Sequence, residues 1–335
     1  MIIKLLNSNY LSKVNVLNAN MKNKKIDLSF FLLGLLLAMS INSCNKNTNL
    51  PTDNIYRFTD TIIVDGIERT YTLNLPPNYY EAVGFSLIIA LHGGGGSAQQ
   101  FESTNKLTEK ANAAKFIVVY PEGVQRTGLL KARSWNAGSC CDYAVTQNIN
   151  DVKFISLLID KLALKYKINS KKVYATGHSN GGMLAYRLAC ELSNKIAAIA
   201  ANSCTMVVAT CDNSRPVPVL HTHSILDTNV PYQGGVGNGT GTQGVYLPPL
   251  NAVMNMWSLK NTCTNTAQIV VDDNKYKFTK WTNCSGNVAI NYYLTKDGGH
   301  GWPGGLPGGP NSDTPSTVIN ANDLLWDFFQ RFQLP

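Results

Sequence analysis

The sequence predicts one α/β domain, built on a mainly parallel, doubly wound β-sheet with helices on both faces. Six short strand-like runs occur at 86–91, 116–120, 171–176, 196–201, 217–222 and 288–294. Helical patterns separate several of these runs, and strands that alternate with helices favour parallel pairing. The 335 residues, of which 44% are hydrophobic, are enough to form one large core.

The predicted elements begin with a β-hairpin over 61–75, in which the Asp-Gly dipeptide 65–66 separates two alternating runs. Residues 152–166 carry apolar side chains three and four positions apart, which predicts an amphipathic helix. Either Asn150 or Asp151 can cap this helix. Further helices are expected at 100–114, 183–193 and 321–331.

The N-terminal part predicts export. A basic stretch at 21–25 precedes the apolar run 30–39, which is too short to span a membrane and is typical of a signal segment starting at Met21. The following Ile-Asn-Ser-Cys at 41–44 resembles the lipobox of bacterial lipoproteins. Cys44 would then be acylated and anchor the protein to a membrane, and ordinary secretion is the alternative.

This interpretation divides the chain into a signal segment at 1–43, a polar tether at 44–55 and a catalytic domain at 56–335. The signal segment carries five lysines against one aspartate, which is about half of the net charge of +8. No run of Lys and Arg occurs beyond residue 25, so a nucleic-acid partner is not expected.

Eight cysteines in an exported protein favour disulfides. Proximity in the sequence suggests Cys204 with Cys211, Cys263 with Cys284, and Cys140 or Cys141 with Cys190. There is no Cys-x-x-Cys pair of the kind that holds zinc, so no metal is expected.

Ser179 lies in the pentapeptide Gly-His-Ser-Asn-Gly at 177–181, between a predicted strand and a predicted helix. The two glycines permit a tight turn that exposes the serine hydroxyl close to the free N–H groups at the helix N-terminus. We predict that Ser179 is a nucleophile, with a purely structural turn as the alternative.

A serine nucleophile needs a base and a carboxylate that orients the base, in the chain order serine, acid, histidine. His300, in a glycine-rich loop after the last predicted strand, is the predicted base. Asp227 directly follows the fifth predicted strand and is the predicted acid. Asp272 and Asp273 are rivals in a polar stretch with no predicted strand before it. Asp297 lies too close to His300 in the chain to reach back to it.

Two backbone N–H groups are predicted to stabilise the oxyanion that forms when a serine nucleophile attacks a carbonyl group. One belongs to Asn180, next to the nucleophile. The other comes from the loop His-Gly-Gly-Gly-Gly at 92–96, where Gly94 is the first choice and Gly93 the alternative. This loop lacks the Gly-Lys-Ser/Thr end of a P-loop, so phosphate binding is not expected.

Two histidines and two tryptophans lie near these residues in the sequence. His221 and His223 alternate along one strand, and support of the Asp227 loop is preferred to metal binding, because no acidic or cysteine partner accompanies them. Trp135 and Trp302 either form a platform for a flat or sugar-like substrate or simply pack.

Six stretches carry a family resemblance: LHGGGGSA at 91–98, RSWNAGSCCDYA at 133–144, NDVKFI at 150–155, ATGHSNGGMLAYRLACE at 175–191, VPVLHTHSILDTNVPYQGG at 217–235 and GGHGWPGG at 298–305. Together they resemble the exported polyhydroxybutyrate depolymerase and feruloyl esterase family, which is related to carbohydrate esterases with the α/β-hydrolase fold. The resemblance implies Ser179, Asp227 and His300 as nucleophile, acid and base. Two positions depart from the family: Ser224 follows His223 where glycine is usual, and Asp142 replaces a glycine.

The resemblance implies a serine esterase without a cofactor, which acts through an acyl-enzyme on feruloyl or acetyl esters of plant polysaccharide. A polyhydroxybutyrate depolymerase or oligomer hydrolase is the alternative. A peptidase or acyltransferase using the same residues, and a binding lipoprotein without catalysis, are the remaining hypotheses.

Overall fold

The computed structural model describes residues 54–128, 131–237 and 241–335. The predicted signal segment, Cys44 and the tether up to residue 53 lie outside these ranges. Asn54 and Ile55 are exposed and precede the first strand. Within the described ranges, no helix has the length and apolar character needed to cross a membrane.

The secondary structure alternates between strands and helices along most of the chain. The strands are β1 Arg57–Val64, β2 Ile67–Asn74, β3 Phe85–Leu91, β4 Ile117–Pro121, β5 Val124–Gln125, β6 Arg133–Ser134, β7 Ile168–His178, β8 Ala198–Asn202, β9 Val219–Ser224, β10 Gly235–Val236, β11 Tyr246–Leu247, β12 Gln268–Asp272, β13 Tyr276–Trp281 and β14 Ile290–Thr295. The helices are α1 Ala98–Asn105, α2 Leu107–Ala114, α3 Asp142–Thr146, α4 Asp151–Lys165, α5 Asn180–Glu191, α6 Leu250–Lys260 and α7 Ala321–Phe329, with a 3-10 turn at Ser285–Asn287.

Ten strands of the described part form one sheet, in the order β1-β2-β4-β3-β7-β8-β9-β14-β13-β12. The six central strands are parallel, and an antiparallel pair extends the sheet at each edge. Residues from α4, α5 and α6 pack with Leu87 and Ile89, whereas residues from α1, α2 and α7 pack with Ile88 and Ala90. Because successive side chains of a strand point to opposite faces, helices cover both faces of the sheet, which confirms the predicted fold class.

The N-terminal hairpin has the predicted turn. Val64 pairs with Ile67, and the intervening Asp65 and Gly66 have φ of 51° and 80°. Two successive residues with positive φ are typical of the two-residue turn that matches the twist of a hairpin.

The helix expected at 100–114 is two helices. Ser97 caps α1 by accepting a hydrogen bond from the N–H of Gln100 at 3.1 Å. Lys106 then adopts φ 58°, which ends α1 and precedes α2. The Asn105 side chain accepts the N–H of Leu107 at 2.9 Å and so takes part in the break.

Sequence reasoning missed α6, β12 and β13. Strand β12 is largely exposed, so it lacks the alternation of buried and exposed side chains that marks a strand. Asp272 is therefore the last residue of a strand, although no strand was expected there. This antiparallel edge strand places Asp272 at the surface, where its carboxylate pairs with Lys296 at 2.9 Å.

The disulfides join Cys190 to Cys211, Cys263 to Cys284, and Cys140 to its neighbour Cys141, and Cys204 is buried and unpaired. Of the predicted pairs, the one across 263 and 284 is present. The other two are wrong, because the end of α5 brings the Cα of Cys190 within 4.8 Å of the Cα of Cys211. The sulfur of Cys204 lies instead against Gly182 at the start of α5.

A buried ion pair connects β2 to α4. Arg69 donates to Asp151 at 2.7 Å, and the two side chains are 3% and 0% exposed. The second oxygen of Asp151 accepts the N–H of Asn136 at 2.7 Å, and the guanidinium lies 4.2 Å from the ring centroid of Phe154. Asn150 caps the same helix through the N–H of Lys153. Strand, helix and the loop before α3 are therefore tied together at one carboxylate.

We expect Asp151→Ala to lower the free energy of unfolding by about 3–5 kcal/mol, because it leaves the Arg69 charge buried without a partner. Lys153→Ala is the control. It lies two residues beyond Asp151 in α4, removes the exposed ion-pair partner of Asp65, and should lower the free energy of unfolding by less than about 1 kcal/mol. Urea denaturation of the two variants measures the difference. Equal losses would contradict a special role for the buried pair.

Candidate active site

The three predicted catalytic residues lie at one edge of the sheet. Ser179 directly follows β7, Asp227 lies three residues beyond β9, and His300 lies five residues beyond β14. These strands belong to the parallel centre of the sheet, so their carboxyl ends share one edge. Ligands of open α/β sheets bind outside the carboxyl ends of the strands.

Ser179 occupies a tight strand-to-helix turn, with φ 52° and ψ −125°. Its N–H donates to the carbonyl of Asn202 at 2.9 Å, and its carbonyl accepts the N–H of Met183 at 2.9 Å. A Cβ on Gly177 would overlap the backbone of Gly181, so the turn excludes side chains there. Non-glycine residues with positive φ carry strain and cluster at functional sites.

Asp227 and His300 form a hydrogen bond of 2.7 Å between Oδ2 and Nδ1. The second carboxylate oxygen accepts the N–H groups of Asn229 at 3.0 Å and Val230 at 2.9 Å. Burial alone would raise the pKa of Asp227, but the hydrogen bond and charge of His300, aided by His223 and Val230, hold this pKa below its ordinary value. An ionised Asp227 keeps the proton of His300 on Nδ1 and leaves Nε2 as the base.

Asp313 holds the loop of the predicted base. Its carboxylate accepts the backbone N–H of His300 at 2.6 Å, and a side chain on Gly299 would overlap it. Sequence reasoning missed Asp313, because no motif or strand marks this position. Asp297, rejected as the acid, binds the hydroxyl of Ser316 at 2.5 Å and so serves the same loop.

His178 lies beside the predicted base, with ring centroids of His178 and His300 4.7 Å apart. Its Nδ1 is 2.8 Å from Oδ1 of Asn202, the residue whose carbonyl also binds Ser179. Burial, with the neighbouring His300, lowers the pKa of His178 to about 3. His178 is therefore neutral at physiological pH and adds no charge beside the base.

The glycine loop after β3 approaches the first turn of α5. A Cβ on Gly94 would lie 3.6 Å from the Cβ of Asn180. The N–H groups of Gly95 and Gly96 donate to backbone carbonyls at 2.7 and 3.1 Å. In the described part of the chain, no residue accepts from the N–H groups of Gly93 and Gly94. The two candidates for the second oxyanion donor are thus the two glycines whose N–H groups are unused.

Of the two alternatives for Trp135, packing is favoured over a substrate platform, because its side chain is fully buried. Its indole N–H donates to the carbonyl of His92 at 2.9 Å, at the start of the glycine loop. Its backbone N–H donates to the side chain of Asn180 at 2.7 Å, and its carbonyl accepts from the same side chain at 3.0 Å. Trp135 therefore fixes the two segments that carry the predicted oxyanion donors.

A cleft of about 790 Å³ contains Ser179, His300 and the glycine loop. Trp302 borders this cleft but is only 5% exposed. Its indole N–H donates to Asn322 at 3.0 Å, and its ring meets Phe101 edge-on at 5.3 Å. Trp302 thus forms part of the wall and presents little surface to a substrate.

His221 and His223 share one face of β9, as expected from their spacing, and their rings are hydrogen-bonded at 3.2 Å. The two remaining ring nitrogens contact Tyr186 and the carbonyl of Val230. All four ring nitrogens therefore have partners within the fold, which favours support of the Asp227 loop over metal binding.

The central part of the chain is similar to known proteins. Residues 85–238 match the family model described as phospholipase/carboxylesterase. The chain is 27% identical over 274 residues to feruloyl esterase B of Piromyces equi, covering 80% of this chain and 46% of that protein. It is 32% identical over 160 residues to a bifunctional acetylxylan esterase/xylanase of Neocallimastix patriciarum, covering 48% of this chain and 21% of that protein. The chain thus spans less than half the length of these two relatives.

Among solved structures, an acetyl xylan esterase from Aspergillus awamori matches with a TM-score of 0.56 at 14% identity, over 82% of this chain and 99% of the other. At this level of identity the likeness concerns the fold. Together with the sheet order and the match over residues 85–238, it shows that the chain has the α/β-hydrolase fold and is similar to carboxylesterases.

Proposed function

We propose that the protein is a serine carboxylic ester hydrolase that works through an acyl-enzyme. The observation that carries this proposal is the 2.7 Å hydrogen bond between buried Asp227 and His300, in a cleft that also contains Ser179. A carboxylate, an imidazole and a serine on a strained turn are the parts of a nucleophilic serine site.

In the proposed reaction, Oγ of Ser179 attacks the ester carbonyl carbon while Nε2 of His300 takes the hydroxyl proton. The resulting oxyanion accepts the N–H groups of Asn180 and Gly94. The carbon–oxygen bond to the leaving alcohol then breaks, and His300 returns the proton to that alcohol. Water attacks the acyl-enzyme with His300 again as the base, which releases the acid and restores Ser179.

The cleft favours an alcohol portion rich in hydroxyl groups. Polar side chains dominate its walls: Gln100, Thr104, Gln125, Asn229, Asn311 and Ser312. Its larger apolar lining residues are Phe101, Val230, Trp302 and Leu306, of which only Leu306 is well exposed. The amide and hydroxyl groups of these side chains match a sugar better than a polyester chain. The two relatives are named as a feruloyl esterase and an acetylxylan esterase/xylanase. We therefore propose feruloyl or acetyl esters of plant polysaccharide as the substrates.

We expect Ser179→Ala to lower kcat/KM for p-nitrophenyl acetate at least about 10³-fold, because the nucleophile is lost while the fold is retained. Ser103→Ala, at an exposed serine of α1, is the matched control and should keep wild-type activity. Steady-state hydrolysis at pH 7.5 measures the effect. The esterase proposal fails if Ser179→Ala is as active as the wild type, or if the wild type hydrolyses no short ester.

Substrate preference is tested with methyl ferulate, acetylated xylan and soluble 3-hydroxybutyrate oligomers. We expect kcat/KM for one of the first two to exceed the value for the oligomers by about tenfold or more, because a polar pocket rejects groups that leave its hydrogen bonds unmet. A preference for the oligomers would support the polyester alternative instead.

We further propose that the protein is exported and anchored by acylation of Cys44. The basic and apolar stretches before Cys44 support this proposal, as do the disulfides Cys190–Cys211 and Cys263–Cys284, which form in oxidising compartments.

In a bacterial host, we expect Cys44→Ala to move the protein from the membrane fraction to the soluble fraction, because the acylated side chain is removed. Ser43→Ala keeps a small residue before the cysteine and should remain membrane-bound. Immunoblots of the fractions, with the mass of the mature N-terminus, measure the outcome. Unchanged membrane association of Cys44→Ala would contradict the anchor.

A further inference from the structure

A hydrogen-bonded chain of buried side chains leads from α5 to the loop of the predicted acid. The Tyr186 hydroxyl lies 2.7 Å from Nδ1 of His221, and Nε2 of His221 lies 3.2 Å from Nδ1 of His223. Nε2 of His223 lies 2.8 Å from the carbonyl of Val230 and 3.3 Å from Oδ2 of Asp227. The last hydrogen bond of the chain is thus to the loop that carries Asp227, and Nε2 of His223 also lies near the same carboxylate oxygen that binds His300.

The carbonyl of Val230 determines the protonation of the whole chain. A carbonyl can only accept, so Nε2 of His223 carries its proton and the Nδ1 of a neutral His223 accepts. His221 therefore donates from Nε2, and its own Nδ1 accepts from the hydroxyl of Tyr186. Every donor in the chain therefore donates in the direction of the Asp227 loop.

The chain is neutral at physiological pH. Burial, together with His223, lowers the pKa of His221 well below its ordinary value. Burial also lowers the pKa of His223, although the charge of Asp227 opposes this shift. His223 therefore keeps a neutral N–H, bound to Val230 and close to the Asp227 carboxylate, and places no second positive charge beside His300.

We propose that His223, held in place by His221 and Tyr186, is a positioning residue that sets the proton affinity of His300 through Asp227. This inference rests on the proposed roles of Asp227 and His300. The N–H of His223 carries a partial positive charge close to Oδ2 of Asp227 and partly neutralises the negative charge of that oxygen. It therefore weakens the attraction of Oδ2 for a protonated His300. As a result, His300 stays unprotonated, and able to act as a base, at lower pH values than it would without His223.

The other titratable groups to consider are Tyr186 within this assembly, His178 and Cys204 near the carboxylate, Tyr292 beside His221, and Asp297 and Asp313 on the His300 loop. Burial lowers the pKa of His178 to about 3 and raises the pKa values of Cys204 and both tyrosines above their ordinary values. These four groups keep one charge state between pH 5 and 8. The two aspartates are present in every variant below, so a difference between the acidic limbs of wild type and variant does not come from their loss.

The test is the pH dependence of kcat/KM for p-nitrophenyl acetate. We expect His223→Phe, which removes the donor, to move the acidic limb to higher pH by about half a unit or more. His223→Gln, whose amide N–H can replace the ring N–H, should restore the limb to within about 0.2 units of the wild type. Tyr186→Phe should give a smaller shift in the same direction.

Tyr292→Phe is the matched control. Its hydroxyl has no hydrogen-bond partner in the described part of the protein, although its ring lies 5.6 Å from that of His221. Removing this hydroxyl should leave the pH profile unchanged. Thermal unfolding of each variant shows whether it is folded.

A folded His223→Phe that loses rate but keeps the wild-type limb, or shifts it to lower pH, would overturn the inference. If His223→Phe does not fold, His223→Asn replaces it, because its shorter amide does not reach Asp227. Asn and Gln variants with the same limb would then refute the proposal. Failure of the esterase proposal itself is separate, because it appears as wild-type activity in Ser179→Ala.

Discussion

A buried carboxylate needs partners for its charge, and the buried carboxylate of Asp227 lies at the carboxyl ends of the parallel strands. Its side chain is fully buried, so both oxygens must accept hydrogen bonds from the fold. Two backbone N–H groups of its own loop bind one oxygen, and His300 with His223 approaches the other. The position of the predicted base is therefore set by how the protein satisfies this one charge.

The nucleophile turn depends on close backbone contact. A Cβ on Gly181 would collide with the carbonyls of Leu91 and His92, so helix α5 can begin directly against the end of β3. The same approach places the glycine loop beside Asn180. The glycines of the pentapeptide thus shape the turn of Ser179 and also bring the two proposed oxyanion donors together.

The segment around Trp135 acts as a brace for this arrangement. Hydrogen bonds from Trp135 reach both His92 and Asn180, while Asn136 continues to the buried Asp151–Arg69 pair. The stretch 133–138 therefore connects the candidate active site to the core through α4. The hydrogen bonds of these polar groups offset the free-energy cost of burying them.

The sequence by itself determined the local features: the hairpin turn, the buried apolar strands and the strand-turn-helix around Ser179. Each of these depends on residues that are neighbours in the chain. Only the tertiary structure decided that Trp135 is buried, that Cys190 bonds Cys211, and that Asp313 holds His300. These contacts join segments far apart in sequence. Packing of helices and loops against the sheet selects such partners, and no local pattern of residue types encodes that choice.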